Sequence, residues 1–291
     1  MPVATTPSFP FTFTLVGAGR VGSAVARLLQ QQGNEAVAVA SRTHASAARA
    51  AGLLGVPVAD IGSLPAASCV LIGAGDDAIE EVAQQLASTI TTGQVVVHFA
   101  GAFGLGPLAP VIEAGAWGCA LHPVQACPDV ETAIDRLPGS AWGVTCTWPA
   151  TEWAHNLVRD QLSGTPIDVA EDDRPIWHAA AVSTSNGIAA LMAIGEQLLG
   201  SIGVPDPEKI LGPLARGTVD NAIAGGGGAA TLTGPAVRGE VATIERHLAA
   251  IAERSPGSLD AYRLAARVIL EAGWIDASTT RSIEDLLERE R

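Results

Sequence analysis

The stretch TLVGAGRVGSAVARLL, residues 14–29, decides how the chain is read. An apolar run ends at Gly17, Gly19 and Gly22 complete the spacing G-x-G-x-x-G, and helix-forming residues follow at once. In a strand-to-helix turn each glycine has a physical task. Gly17 permits the tight turn, Gly19 lets a pyrophosphate approach the backbone, and Gly22 lets the helix pack closely on the strand. The unpaired N–H groups at the helix start would face the anion. Gly17, Ala18, Gly19, Arg20, Val21 and Gly22 are therefore expected to bind a dinucleotide.

About 20 residues further on, such a fold usually places a carboxylate for the ribose hydroxyls of NAD. Here the second apolar run ends at ASRTHAS, and Ser41, Arg42 and Thr43 stand at that place. Hydroxyls and a guanidinium suit a 2′-phosphate, so the expected cofactor is NADP(H), with Arg20 a second cation near the phosphates. Gly73 and Ala74, at the end of the third run SCVLIGAG, complete the expected cofactor set.

Working outward, FTFTLVG, EAVAVAS, SCVLIGAG, QVVVHFAG, WGCALHP and AWGVTCT each read as a buried strand bounded by Gly, Ser or Pro. Helical segments separate the first of them, which predicts a parallel sheet with crossover helices. Beyond Pro149 only TPIDVA reads as a strand, and helices follow to the end. The expected fold class is α/β, a mostly parallel sheet followed by an all-helical C-terminal domain. The expected divisions are a disordered lead over 1–10, the cofactor domain over 11–165 and a helical substrate and dimerisation domain over 166–291.

Composition narrows the partners. The net charge is -13 and Lys209 is the only lysine, so no basic stripe exists for nucleic acid, and no membrane partner is expected. An anionic ligand must then be held by local N–H groups and single arginines against an unfavourable field. Four cysteines without C-x-x-C spacing suggest neither disulfides nor a metal site, and a cytoplasmic protein is expected.

The stretches HFAGA (98–102), LHPVQACP (121–128), HAAAVSTSN (178–186), LGPLARGTVDN (211–221) and TLTGPAVRGEVATIERHL (231–248) carry a family resemblance. They resemble Rossmann-like proteins whose C-terminal half is a domain of unknown function, within the 6-phosphogluconate-dehydrogenase-like reductases. Ketopantoate reductase, pyrroline-5-carboxylate reductase and prephenate dehydrogenase are relatives. The resemblance implies a Rossmann-type sheet, a nicotinamide over the carboxyl ends of its strands and a helical domain that forms a homodimer. In several relatives a lysine stands four residues before an asparagine. Here Asn186 matches the asparagine but Val182 replaces the lysine, and Ala100 stands where many members have serine.

Reduction of a carbonyl or imine needs a proton or a stabiliser of the developing charge, and a positioned acid contributes about 10² to 10⁴ in rate. Without the lysine, histidine is the next choice. His122, in a His-Pro turn like that of prephenate dehydrogenases, and His178, near a helix start, are the candidates. A loop histidine tied to carbonyls and a histidine satisfied by its neighbours are their structural alternatives, and His98 reads as structural. Asn186 is expected to serve the reacting heteroatom, with Ser183, Asn221, Thr233 and Arg238 as further substrate contacts. Arg238 either grips a carboxylate or pairs with Glu240 or a partner subunit.

The expected activity is NADPH-dependent reduction of a small anionic substrate, a 2-oxo acid or related carbonyl or imine carboxylate, in the manner of ketopantoate reductase. A non-catalytic NADP(H) sensor and oxidation of a hydroxy acid are the alternatives.

Overall fold

The first strand-to-helix turn sits in a seven-stranded sheet. Its strands are β1 (Thr12–Val16), β2 (Glu35–Ala40), β3 (Cys69–Ile72), β4 (Val95–His98), β5 (Trp117–Pro123), β6 (Ala141–Cys146) and β7 (Thr165–Asp168). These come from a computed structural model that describes residues 5–289. Every apolar run read as a strand is one, including TPIDVA as β7.

The strand order is β2-β1-β3-β4-β5-β6-β7, all neighbours parallel except the antiparallel pair β5 and β6. Chain sequence runs outward from β1 to β2 and then crosses back to β3 on the other side. That reversal lies between β1 and β3, and α/β sheets bind ligands outside the carboxyl ends of strands at such a point.

Both faces of the sheet are covered, which is why the strands are apolar throughout rather than alternating. On one face Leu15, Leu71 and Val97 pack with α1 (Arg20–Gln31), α2 (His44–Leu54), α5 (Val130–Arg136) and α6 (Ala150–Asn156), through residues such as Leu29, Leu54, Ala133 and Trp153. On the other, Val70, Ile72 and Val96 pack with α3 (Ile79–Leu86) and α4 (Ala109–Glu113) through Ile79, Leu86 and Val111.

The chain divides into two compact units, residues 1–183 and 184–291, inside the long helix α7 (Arg174–Ser201). This division falls later than the expected boundary at 165. The physical reason is that β7 pairs with β6 and the first turn of α7 is anchored in the first unit through Arg174. The disordered lead expected over 1–10 is also corrected. Residues 1–4 lie outside the described residues, but Phe9 is packed, its ring stacked on Trp153 with centroids 5.7 Å apart.

The second unit holds the rest of α7, α8 (Pro207–Ala224), α9 (Pro235–Arg238), α10 (Val241–Arg254), α11 (Leu259–Glu271) and α12 (Ala277–Glu288). Its core is small: Ala236, Ile244, Ala266, Leu270, Ile283 and Leu287 from the last four helices. No helix of the described residues is long and apolar enough to cross a membrane.

Candidate functional site

The carboxyl ends of β1, β3, β4 and β5 lie side by side in the first unit, and the turns that leave them build the site upward from the glycines. Gly17 has a positive φ of 86°, a conformation side chains resist, and its N–H donates to the Ala40 carbonyl at 2.8 Å. The Gly19 N–H donates to the Gly73 carbonyl at 2.8 Å. A methyl on Gly19 would strike that same carbonyl, and one on Gly22 would stand 2.6 Å from the Gly73 Cα. Gly73 and Ala74 are thus the floor on which the first turn packs. The lack of a side chain at Gly19 is demanded by the neighbouring loop, a reason the sequence did not disclose.

What remains open is the start of α1. Gly19 caps it without any side-chain hydrogen bond, and no acidic residue stands in its first turn. The amides of Arg20, Val21 and Gly22 have no acceptor among the described residues, since the first return bond of the helix is Ser23 N–H to the Gly19 carbonyl at 2.9 Å. Three N–H donors and the positive end of a twelve-residue helix, at the reversal point of the sheet, suit a pyrophosphate.

At the end of β2, Thr43 caps α2 by accepting from the Ser46 N–H. Arg42 is exposed and makes no ion pair or hydrogen bond among the described residues. The Thr43 hydroxyl also donates to Ser46 Oγ at 2.9 Å, so it is Arg42 that stands as the uncommitted cation beside the turn, with Ser41 next to it. Arg20 points elsewhere: its guanidinium donates to the Pro128 carbonyl at 3.0 Å.

At the far end of the row, His122 and His178 meet. Their ring centroids are 5.2 Å apart in an edge-to-face arrangement, and both crowd the Gly101 backbone after β4, where a methyl would stand 2.9 Å from His122 Nε2. The Trp177 indole N–H donates to His122 Nδ1 at 3.1 Å. Burial, then the neighbouring His178 and Arg174, lower the His122 pKa to about 4. The ring is neutral at pH 7.

Arg174, which opens α7 in the charged-looking stretch EDDRPIWH, was not anticipated from sequence. It is fully buried, with no carboxylate in ion-pair range among the described residues. Its guanidinium instead donates to three carbonyls, of Phe103 at 3.1 Å, Gly143 at 3.2 Å and Ala100 at 3.2 Å. Bonds from a charged donor are worth roughly 1.5–3 kcal/mol each, and together they tie the loop after β4 to β6 and to α7. Burial lowers its pKa to about 10, with Glu171 opposing, so it keeps its charge. Glu171 accepts from the Leu105 and Gly106 amides at 2.8 and 3.3 Å and secures the other end of that loop. Beneath it lies His98, fully buried. It accepts from the Ala100 N–H at Nδ1 and bonds the Gly104 carbonyl through Nε2 at 2.7 Å, which is a structural role.

The remaining expected contacts lie near or beyond the division. Ser183 ends the first unit, exposed, and Asn186 is exposed on α7 in the second. Asn221, on α8, and Thr233, before α9, are also exposed. The helix after Gly234 is only four residues long, and Arg238 on it pairs with Glu240 at 2.6 Å, the alternative that its sequence left open.

Two family models match the chain: a Rossmann-like domain over residues 9–123 and the Domain of unknown function (DUF2520) over residues 140–269. The chain is thus similar to a Rossmann-like domain over its first part and to a DUF2520 domain over its second. No curated protein matches it significantly. Among solved structures it is similar to a candidate NADP oxidoreductase from Bacteroides fragilis, 22% identical with a TM-score of 0.75 over 90% of this chain and 98% of that one. A reductive aminase from Aspergillus terreus in complex with NADPH and ethyl-5-oxohexanoate is 20% identical with a TM-score of 0.65, over 94% and 99% of the two chains. A pyrroline-5-carboxylate reductase from Coxiella burnetii is 15% identical with a TM-score of 0.57, over 95% and 98%. At these identities the likeness establishes the shared fold, in agreement with the resemblance seen in the sequence.

Proposed function

We propose that the chain is an NADPH-dependent reductase of a small carbonyl or imine that carries a carboxylate, such as a 2-oxo acid. The observation that carries this reading is the uncapped, acid-free start of α1 at the sheet reversal, in the same row of strand ends as the His122–His178 pair. The residues fit the cofactor. The amides of Arg20, Val21 and Gly22 would hold the pyrophosphate, and Ser41, Arg42 and Thr43 the 2′-phosphate. When bound, NADPH supplies the hydride. The chain's own residues then bind the acceptor and meet the charge that develops on its oxygen or nitrogen, a task for His122 and His178. The solved relatives described as NADP and NADPH proteins, and the reductive aminase and pyrroline-5-carboxylate reductase among them, support the reaction class.

Fluorescence titration tests the cofactor: NADPH is expected to bind at least tenfold more tightly than NADH. Equal affinities remove the 2′-phosphate assignment, and no binding of either ends the reading. A second reading, an NADP(H)-binding sensor, is favoured by Val182 and Ala100 at the lysine and serine positions of relatives. NADPH binding without oxidation across a panel of 2-oxo acids and cyclic imines would select it.

Partner chemistry follows from the second unit. The part of α7 in that unit and the whole of α8 contain no buried residue, and Leu191, Ile210, Leu214 and Ile223 are among the exposed apolar side chains. Two helices this poor in buried side chains and carrying this many exposed apolar ones are seldom left to water, and a second copy of the chain is their proposed cover. Light scattering is expected to give the dimer mass, and a monomer at micromolar concentration contradicts this.

A further inference from the structure

His122 stands one residue from the end of β5, and its register partner on β6 is Gly143. A methyl on Gly143 would stand 2.7 Å from the Trp177 indole nitrogen and 2.9 Å from the Arg174 guanidinium. The missing side chain is thus the seat that lets the indole lie against His122. Arg174, Trp177 and His178 fall at i, i+3 and i+4 on one face of α7, so the three carbonyls that hold Arg174 also fix the angle at which Trp177 and His178 approach.

An indole nitrogen can only donate. Because Trp177 donates to His122 Nδ1, the proton of the neutral imidazole must be on Nε2. That Nε2–H has no acceptor among the described residues, and it lies beside Gly101 at the strand-end row. We propose that Trp177 is a positioning residue that locks His122 as its Nε2–H tautomer, so that His122 meets a substrate oxygen or nitrogen as a neutral hydrogen-bond donor.

The surroundings favour this state. The titratable or charged groups that face His122 are His178 and Arg174, both on α7, and both oppose a positive charge on the ring. From the loop after β4 the Gly101 backbone lies beside the ring, and the register partner of His122 on β6 is Gly143, neither of them titratable. A neutral donor stabilises developing negative charge without giving up its proton. The proton that completes the product then comes from His178 or water. The tautomer stands on the geometry alone, whereas its use toward a substrate rests on the proposed reductase reading.

Long-range proton–nitrogen NMR on the full chain labelled with ¹⁵N-histidine tests both parts. At pH 7 the wild type is expected to show a bare, pyridine-type Nδ1 and a protonated, pyrrole-type Nε2 for His122, assigned by its loss in His122→Asn. Trp177→Phe keeps the ring and removes the donor. It is expected to convert the pure tautomer into a mixture while NADPH affinity stays within twofold. A protonated Nδ1 in the wild type, or an unchanged tautomer in Trp177→Phe, overturns the proposal. If Trp177→Phe does not fold, the wild type still decides: its Trp177 indole N–H resonance must shift as His122 is titrated with acid, and a resonance blind to that titration also overturns it. Failure of NADPH to bind with the tautomer intact would sink the reductase reading and leave the role of Trp177 standing.

Discussion

Two turns at the reversal of the sheet begin alike and end in opposite chemistry. Gly17-Ala18-Gly19 follows β1 and Gly73-Ala74-Gly75 follows β3, side by side. After the first come Arg20 and a helix with no acid in its first turn. After the second come Asp76 and Asp77 in a short helical turn, then Glu80 and Glu81 at the start of α3. Both helix starts carry the same partial positive charge, but the second is already answered by carboxylates that would repel a phosphate. The difference teaches that glycines specify how closely the backbone packs, and the residues after them specify what the turn can bind.

The largest expected effect is on stability. Gly19→Ala drives a methyl into the Gly73 carbonyl, and overpacking of this kind costs about 1–3 kcal/mol. At the matching place in the second turn, a methyl on Gly75 meets nothing within 4 Å and φ is -67°, so Gly75→Ala should lie within about 0.5 kcal/mol of wild type. Urea unfolding of the two variants checks this, and equal midpoints would break the distinction.

Next comes the charge. Arg20→Asp gives the first turn the character of the second and is expected to weaken NADPH binding about tenfold, near the upper range of helix-terminus effects. Asp76→Asn, in the second turn, is expected to change it less than twofold. Titration of both variants at low salt sharpens the comparison, because a matched response would show that the cofactor does not distinguish the two helix starts.

A smaller effect concerns selectivity. Arg42 is exposed, so its contact with a 2′-phosphate is screened by solvent. Arg42→Ser should cut the preference for NADPH over NADH several-fold while leaving NADH affinity unchanged. A parallel loss for both cofactors would place Arg42 at the pyrophosphate instead.

The sheet was legible because its strands are buried on both faces, so each appears as an unbroken apolar run such as CVLI or VVVH. The first turn was legible because its glycines combine with a strand before and a helix after. Direction was not, since nothing in AWGVTC tells that β6 runs against β5. Arg174 was missed for a physical reason: its three partners are backbone carbonyls from distant segments, which leave no mark in side-chain patterns. Trp177 was missed likewise, since its partner lies 55 residues away. Asn186, expected to serve the reacting heteroatom, stands exposed on α7, because a match to a motif carries no information about burial.

The central claim is that the amides opening α1 grip a dinucleotide. Diffraction from crystals of the full chain soaked in millimolar NADP⁺ tests it most directly. Pyrophosphate density is expected against Arg20, Val21 and Gly22, with the 2′-phosphate beside Arg42. Density for the cofactor at the start of α3 instead, or none at either turn while the crevice is open to solvent, would contradict it.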